Sequence, residues 1–239
     1  MCDDGRMRPD AVHAVIAVKN LERAKSRLAG ELPPADRSRL VLAMLSDTVS
    51  AALAAGIGSV TVVTPDSRVA AAVRALGCVA HPDPVAGTDL LNSALADAAA
   101  AVRARHGAVD LLALQADLPA LRPGELADAL ATAPATGRAL VADHTGQGTA
   151  ALLVRDGTAP LAPLFGPDSA RRHADSGAKD LVGAWPGLRL DVDTAADLHA
   201  AVRLGVGPAT AALLDDIRWP HHVHEQLTRR CDTGHMCAQ

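Results

Sequence analysis

Strand-like and helix-like segments alternate along almost the whole chain, and this alternation is the feature that most limits its fold. Short apolar runs, such as residues 11–18 and 109–115, are separated by longer stretches with apolar residues on one helical face. Runs that are apolar throughout belong in strands covered on both faces. Repeated units of this kind predict an α/β fold, namely a three-layer α/β/α sandwich around a mostly parallel mixed sheet.

The length of 239 residues is enough for one substantial core. We expect a disordered leader at residues 1–10, one domain at residues 11–218 and a flexible tail at residues 219–239. The tail holds several His and Cys residues, but their spacing fits no common closed zinc site. Strands are predicted at residues 11–18, 59–63, 78–80, 109–115, 139–143, 150–154 and 188–192, with helices at 33–55, 66–76, 89–105 and 123–133 and others beginning near 170 and 195.

Composition excludes several classes of function. Aromatic residues make up only 1% of the chain, so the core must be built from Ala, Val and Leu, and a base-stacking surface for nucleic acid is not expected. The formal net charge is −4, without a basic stripe. The N-terminus has no apolar signal segment, and no uncharged run is long enough to span a membrane. We therefore expect a cytoplasmic protein without nucleic-acid or membrane partners.

Asp117 follows the apolar run at residues 109–115 and stands just before Pro119. In open α/β sheets, ligands bind at the carboxyl edge of the strands. A carboxylate there can hold a hard cation such as Mg2+ against a phosphate. A helix cap or a turn residue would give the same pattern, so position alone leaves both interpretations of Asp117 open.

The loop after the first strand carries Lys19, Lys25 and Arg27 but no glycine. This excludes both the dinucleotide fingerprint and the P-loop, in which glycines let the backbone approach phosphate. Phosphate would instead be held by these side chains, as point charges and as a planar guanidinium fork. The alternative is a solvated basic loop.

Asp191 and Asp193 lie two residues apart in the strand predicted at residues 188–192. On a strand they would share a face at about 6.6 Å, where two carboxylates repel by roughly 2.5 kcal/mol at an effective dielectric constant of about 20. A bound cation would offset that repulsion. The alternative is that Asp193 or Thr194 caps the next helix and that Asp191 is exposed.

Further loops offer candidate ligand contacts. Residues 81–88 form a polar loop shaped by Pro and Gly; Asp83 and Gly87 there, and Asn92 on the following helix, are candidates for nucleotide contact, with solvent exposure as the alternative for Asn92. The backbone N–H groups of the turn at residues 145–149 could cradle an anion. Ser169 lies near a helix N-terminus, which attracts phosphate, although capping alone would also explain it.

A series of short motifs in a fixed order is more specific than any one of them. The motifs are AVKNLERAKSRL, LLNSAL, LQADLPAL, GTAALL, FGPDSARRH, GAWPGLRLDVDT and LGVGPAT. The series resembles the 2-phospho-L-lactate/phosphoenolpyruvate guanylyltransferases of coenzyme F-420 biosynthesis over about residues 11–214. The leader and the tail fall outside the match.

The resemblance implies a GT-A-like nucleotidyltransferase fold, which is Rossmann-related, and a reaction in which GTP and a phosphorylated three-carbon acid give a guanosine diphosphate-linked acid and pyrophosphate. It implies that Asp117, Asp191 and Asp193 hold one or two Mg2+ ions. Thr149, Gly166 and Ser169 would contact the acid, which is phosphoenolpyruvate in the actinobacterial branch and otherwise 2-phospho-L-lactate. We count Lys25 with the three aspartates as catalytic and expect GTP contacts from Lys19, Lys25, Arg27, Asp83, Gly87 and Asn92.

This chemistry needs no general base, because the attacking phosphate oxygen is already anionic at neutral pH. Lys19, Lys25 and Arg27 would stabilise the departing pyrophosphate. Two alternatives stay open: another GT-A-type nucleotidyltransferase, acting on the molybdenum cofactor or a sugar phosphate, and a non-catalytic GTP-binding module. The first loop has no glycine, which argues against another GT-A-type nucleotidyltransferase. The three aspartates argue against a non-catalytic GTP-binding module. A labile product also suggests hand-off to the next transferase of the pathway, which co-purification would test.

Overall fold

The computed structural model describes residues 12–19, 21, 25–83 and 90–219. Its strands are β1 (Val12–Ala17), β2 (Ser59–Thr64), β3 (Val79–Pro82), β4 (Asp110–Leu114), β5 (Gly137–Ala142), β6 (Thr149–Arg155) and β7 (Lys179–Asp180). They form one seven-stranded sheet in the order β3-β2-β1-β4-β6-β5-β7. β6 runs antiparallel to β4 and β5, whereas the remaining pairs are parallel. The predicted mostly parallel mixed sheet is confirmed.

The α-helices of the described residues cover both faces of this sheet. They are α1 (Pro34–Ala54), α2 (Ser67–Ala75), α3 (Leu90–His106), α4 (Pro123–Thr132), α5 (Ser169–Asp175), α6 (Pro186–Arg189), α7 (Ala195–Leu204) and α8 (Pro208–Asp216). Alternate residues of β1 belong to different cores: Ala14 and Ile16 to the core that includes α1, and Val15 to the core that includes α3. This arrangement confirms the three-layer sandwich. Among the described helices, none is long and apolar enough to cross a membrane.

The carboxyl edge of the sheet is where the order of connection reverses. From β1 the chain moves outward to β2 and β3, and it then returns to place β4 on the other side of β1. Such a switch point opens a crevice between the two strand ends. The loop that carries Lys25 leaves β1 at this point, and the loop that carries Asp117 leaves β4 beside it.

The prediction of a strand at residues 188–192 is wrong. Pro186 instead begins the short helix α6, because proline is pre-organised for the first helical position. The N–H groups of Gly187 and Leu188 donate to the Glu125 carboxylate at 3.3 and 2.8 Å, which satisfies the helix start. The following segment has no regular structure and is joined to the loop after β4 by a 3.1 Å bond from Val192 N to Asp117 O.

Trp219, which the sequence prediction placed in the tail, is the last residue that the structure describes. Trp219 packs against the larger core, and its backbone N–H donates to Leu214 O at 2.8 Å. Trp219 is therefore part of the domain. The leader, Gly87 and the His/Cys residues of the tail lie outside the described residues, so the predictions made for them stay predictions.

Candidate active site

A cleft of about 380 Å³ opens at the carboxyl edge of the sheet. It brings together the turn between β5 and β6, the loop before α5 and the segment before α7. Its lining comprises Arg27, Asp143, His144, Thr145, Gln147, Gly148, Gly166, Pro167, Asp168, Asp191, Asp193, Thr194 and Asp197. Four residues singled out from the sequence, Arg27, Gly166, Asp191 and Asp193, therefore share one cavity.

Lys25 and Asp117 do not line this cleft, but Lys25 joins Asp117 to Asp193, which does line it. Its Nζ is 2.8 Å from Asp193 Oδ1 and also donates to Asp117 Oδ2. Burial lowers the pKa of the ammonium, but the two carboxylates raise it by more, so the pKa lies above its usual value. The backbone of Lys25 is left-handed, with φ of 53°, and leads into a 3-10 turn at Ser26–Leu28 whose Leu28 is buried. A non-glycine residue in this region is held there by its surroundings.

Asp117 does not cap a helix. Helix α4 begins only at Pro123, and no side chain caps it. The backbone of the Asp117 loop is fixed by Thr48, whose hydroxyl accepts from Leu118 N at 3.1 Å and donates to Ala116 O at 3.3 Å. Asp117 Oδ1 is buried and has no hydrogen-bond partner among the described residues. A buried carboxylate oxygen left without a partner is costly unless a ligand satisfies it.

Asp191 and Asp193 face the cleft although they do not lie on a strand. Burial raises the pKa of Asp193, but Lys25 and then Arg27, at 3.8 Å, lower it by more. For Asp191, burial comes first, and the nearby carboxylates of Asp117 and Asp143 add to it, which together raise its pKa to about 6. The two carboxylates thus differ, because Lys25 and Arg27 compensate the charge of Asp193 and not that of Asp191.

Thr194, not Asp193, caps helix α7. Its hydroxyl accepts from Asp197 N at 3.2 Å, and Asp197 Oδ2 accepts from the N–H of Thr194 at 2.8 Å in return, which makes a capping box. Because Thr194 satisfies the helix start, the side chain of Asp193 is left for the cleft. The alternative interpretation is thus right that Thr194 caps the helix, but Asp191 is partly buried rather than exposed.

His144 is a cleft residue that the sequence did not single out. Its Nδ1 is 3.2 Å from Asp191 Oδ1, and its Nε2 is 3.6 Å from Asp197 Oδ1. Its backbone N–H donates to Arg189 O at 2.7 Å, which holds the turn against the segment before Asp191. The available signal was its position directly after β5, at the same sheet edge as Asp117.

The turn between β5 and β6 binds a carboxylate of this chain instead of an external anion. Asp143 accepts from the N–H groups of Thr145, Gln147 and Gly148 at 2.9–3.2 Å. A Cβ on Gly148 would stand 2.2 Å from Asp143 Oδ2, so the turn requires glycine there. The predicted anion cradle exists, but Asp143 already fills it.

The residues expected to contact the acid lie along one wall of the cleft. Gly166 lines it and has φ of 123°, a conformation that favours glycine. Ser169 and Thr149 are buried just behind this surface. The N–H of Ser169 donates to Gly166 O at 3.2 Å, and Asp168, which precedes α5, makes no capping bond with its side chain.

The residues expected to contact the nucleotide divide into groups. Arg27 and Lys25 belong to the aspartate cluster, whereas Lys19 donates to Asp83 Oδ2 at 2.8 Å and to Leu90 O at 3.1 Å. Asp83 Oδ1 is buried and has no hydrogen-bond partner among the residues described. Asn92 is buried and bonds to both backbone groups of Phe165, which accounts for this residue structurally; a contact with GTP stays a prediction.

The aspartates fit a divalent cation on one condition. Within the described ranges, no group of three His, Cys, Asp or Glu side chains is arranged to hold a metal ion. The Lys25 ammonium stands between Asp117 and Asp193 instead. The buried, unpartnered Oδ1 of Asp117 is suited to such an ion, as are the carboxylates of Asp191 and Asp193. Lys25 would have to withdraw for all three to bind it.

Comparisons of sequence identify a family. The family described as "Guanylyl transferase CofC like" matches residues 12–230. A phosphoenolpyruvate guanylyltransferase of Nocardia farcinica is 67% identical over 227 residues, which cover 94% of this chain and 100% of that protein. A protein of the same name from Rhodococcus erythropolis is 52% identical over 219 residues, with coverage of 87% and 97%.

Comparison of structures supports the fold. A protein from Desulfovibrio desulfuricans G20, described as a nucleotide-diphospho-sugar transferase, superposes with a TM-score of 0.62 at 16% sequence identity. The superposition covers 86% of this chain and 94% of that one. At this identity the likeness concerns the fold alone, which is of the nucleotidyltransferase type expected from the sequence motifs.

Proposed function

This chain belongs to the CofC-like family of guanylyl transferases, and on that premise we propose that it condenses GTP with phosphoenolpyruvate. The products are pyrophosphate and a guanosine diphosphate-linked acid, which serves coenzyme F-420 biosynthesis. The observation that carries the proposal is the aspartate cluster at the switch point of the sheet: Asp117 and Asp193 both accept from Lys25, and Asp191 lies close enough to Asp117 for that carboxylate to raise its pKa. The sequence identity of 67% to a phosphoenolpyruvate guanylyltransferase supports the choice of acid.

The reaction joins two anions, so its main barrier is charge repulsion. Mg2+ held by Asp117, Asp191 and Asp193 would neutralise phosphate charge and polarise the α-phosphorus of GTP. The protein itself contributes orientation: the loops after β1 and β4 hold their charged groups on either side of one crevice. The cleft needs no histidine or serine nucleophile, because a phosphate oxygen of the acid attacks.

Lys25 has two successive tasks in this proposal. With no substrate bound, it compensates the charges of Asp117 and Asp193. It can give up these carboxylates to the metal and turn to the phosphate oxygens of GTP, where its ammonium stabilises the departing pyrophosphate together with Arg27 and Lys19. The exposed guanidinium of Arg27 is already within 3.8 Å of Asp193 and lines the same cleft.

The acid would bind along the wall that carries Gly166, with Thr149 and Ser169 behind it. Phosphoenolpyruvate is planar at its central carbon, whereas 2-phospho-L-lactate is tetrahedral there. The substrate panel below tests whether this wall distinguishes the two shapes.

A substrate panel tests the proposal directly. Pyrophosphate release is measured with GTP or ATP, in the presence of Mg2+, against phosphoenolpyruvate, 2-phospho-L-lactate and 3-phosphoglycerate. We expect release with GTP and phosphoenolpyruvate, and its loss when a chelator removes the metal. GTP binding without release from any of the three acids would overturn the proposal and favour a non-catalytic GTP-binding module.

A further inference from the structure

His173, on α5, is a completely buried imidazole that the chemistry above does not use. Its Nδ1 is 2.9 Å from Thr149 Oγ1, and its Nε2 is 2.8 Å from the backbone N of Leu164. The ring of Phe165 packs edge-on against it, with ring centroids 5.1 Å apart. Both nitrogens of a buried ring are therefore engaged by residues of other segments.

The hydrogen bonds fix where the proton of this imidazole lies. A backbone N–H can only donate, so Nε2 of His173 must be the unprotonated nitrogen that accepts from Leu164. Burial, assisted by Arg138, lowers the pKa of His173 to about 4, so the ring is neutral at neutral pH. A neutral ring that accepts at Nε2 carries its proton on Nδ1, which donates to Thr149 Oγ1 at 2.9 Å and shares that proton with the backbone of Ser169, one helical turn earlier.

This assignment leaves Thr149 with a directed hydroxyl. Its oxygen accepts from His173, and among the described residues the hydroxyl has no other hydrogen-bond partner. The proton of the hydroxyl is therefore available to an acceptor. A carboxylate or phosphate is the acceptor that a phosphorylated acid would present.

His173 also joins two segments of the cleft surface. Thr149 directly follows Gly148, and Leu164 lies two residues before Gly166; both glycines line the cleft. From the other side, Asn92 accepts from Phe165 N at 2.8 Å and donates to Phe165 O at 3.0 Å. Two buried side chains, from α3 and α5, thus hold the loop that presents Gly166.

We propose that His173 is a positioning residue for the phosphorylated acid: it sets the distance between the Gly148 and Gly166 segments and directs the Thr149 hydroxyl toward the substrate. The role rests on the proposed function, since it assumes that the acid binds at this wall. His173 touches no reacting atom, so it acts on binding of the acid and not on the chemical step.

Two substitutions separate the two hydrogen bonds. In His173→Asn, the amide nitrogen can take the place of Nδ1 and keep the bond to Thr149, while the acceptor for Leu164 is lost. In His173→Gln, the amide oxygen can take the place of Nε2 and keep the bond to Leu164, while the donor to Thr149 is lost. Thr149→Val removes the hydroxyl at nearly constant shape.

We expect His173→Gln and Thr149→Val each to raise KM for phosphoenolpyruvate by about tenfold or more, with KM for GTP and kcat changed little. The double variant should be no worse than either single one, because both remove the same bond. Thr149→Ser, which keeps the hydroxyl, should stay close to wild type. His13→Gln is the matched control, because His13 is also buried and bonds to Ser59 at 2.7 Å, but it lies at the opposite end of β1 from the cleft.

The outcomes distinguish this inference from the proposed function. A wild-type protein that releases no pyrophosphate overturns both. An active wild type whose KM for phosphoenolpyruvate is unchanged in His173→Gln, or in Thr149→Val if the former does not fold, overturns the positioning role alone. Nitrogen NMR of histidine-labelled wild type should show His173 protonated on Nδ1, and protonation on Nε2 would equally reject the assignment.

Discussion

The charge of individual carboxylates decides which ligands this site can bind. Asp117 offers the most direct test, because its Oδ1 is buried and has no hydrogen-bond partner among the described residues. Asp117→Asn keeps the shape and removes the charge. We expect pyrophosphate release to fall by about a hundredfold or more, since in the proposed function the substitution weakens one of the three ligands of Mg2+. Asp216→Asn, which changes an exposed partner of Arg39, is the control and should leave the rate unchanged. Wild-type rates in a folded Asp117→Asn protein would reject the metal assignment.

Lys25 provides a second test at the level of one side chain. Lys25→Met leaves Asp117 and Asp193 without their cation, so the free energy of unfolding in the absence of Mg2+ should fall by roughly 1–3 kcal/mol. Adding Mg2+ should stabilise this variant more than the wild type, because no ammonium competes for the carboxylates.

Urea unfolding with and without Mg2+ measures both effects. Lys19→Met is the matched control, because Lys19 makes a more exposed ion pair with Asp83, away from the aspartate cluster. An equal response of Lys25→Met and wild type to Mg2+ would show that Lys25 and the metal do not share a site.

Single residues also show what sequence can predict of a site. The place of Asp117 at the carboxyl edge of the sheet was predictable, because a carboxylate that follows an apolar strand has a position in the fold before any contact is known, whereas its role as a metal ligand stays a prediction. His144 and His173 were not, since their roles depend on partners far along the chain: Asp191 for the first, Thr149 and Leu164 for the second. Lys25 was predicted as a phosphate ligand, and its bond to Asp117, 92 residues away, became visible only in the fold.

Secondary-structure elements were predicted correctly where the local sequence signals agreed. The prediction failed where a residue far along the chain determines the secondary structure. Strands β1, β2 and β4 followed from buried apolar runs, and α1 from its proline start and apolar face. Residues 188–192 look like a strand, but Glu125, which lies 63 residues before Leu188, accepts from the start of α6 and stabilises a helix there. The aspartates that follow nevertheless reach the cleft, because Val192 is bonded to the Asp117 loop.

Helix α8 illustrates a motif that serves structure rather than chemistry. The buried carboxylate of Asp47, on α1, accepts from the N–H groups of Ala209 and Thr210 at 3.0 and 2.8 Å. Asp47→Ala should lower the free energy of unfolding by about 1–2 kcal/mol, because the start of α8 loses its acceptor. Both KM values should be unchanged.

Thermal or urea unfolding measures the loss, with Asp36→Ala as control. Asp36 lies on the same helix and, among the described residues, pairs with the half-exposed Arg39, so its removal should change the stability by less than about 0.5 kcal/mol. A rise in either KM for Asp47→Ala would connect α8 to the cleft and contradict a purely structural role.

At the scale of the whole molecule, the protein carries a net charge of −4 and concentrates carboxylates at the site where two anionic substrates must meet. Such a cleft repels both substrates unless cations intervene. Lys25 and Arg27 compensate part of this charge in the structure. The remaining carboxylates make divalent metal a condition of substrate binding in the proposed function, and not only of the chemical step.

A C-terminal truncation tests how much of the chain the catalytic activity requires. A protein ending at Trp219 should keep the wild-type kcat and KM, since the described residues up to 219 already form the cleft and both cores. The same protein with Trp219→Ala should lose about 1–3 kcal/mol of stability, because the indole packs on the core and lies 5.1 Å from the His199 ring. Its kcat should not change, as Trp219 does not line the cleft. Steady-state kinetics measure the activity of the two proteins, and urea unfolding measures their stability. Loss of activity on removing residues 220–239 alone would show that the His/Cys tail takes part in the reaction.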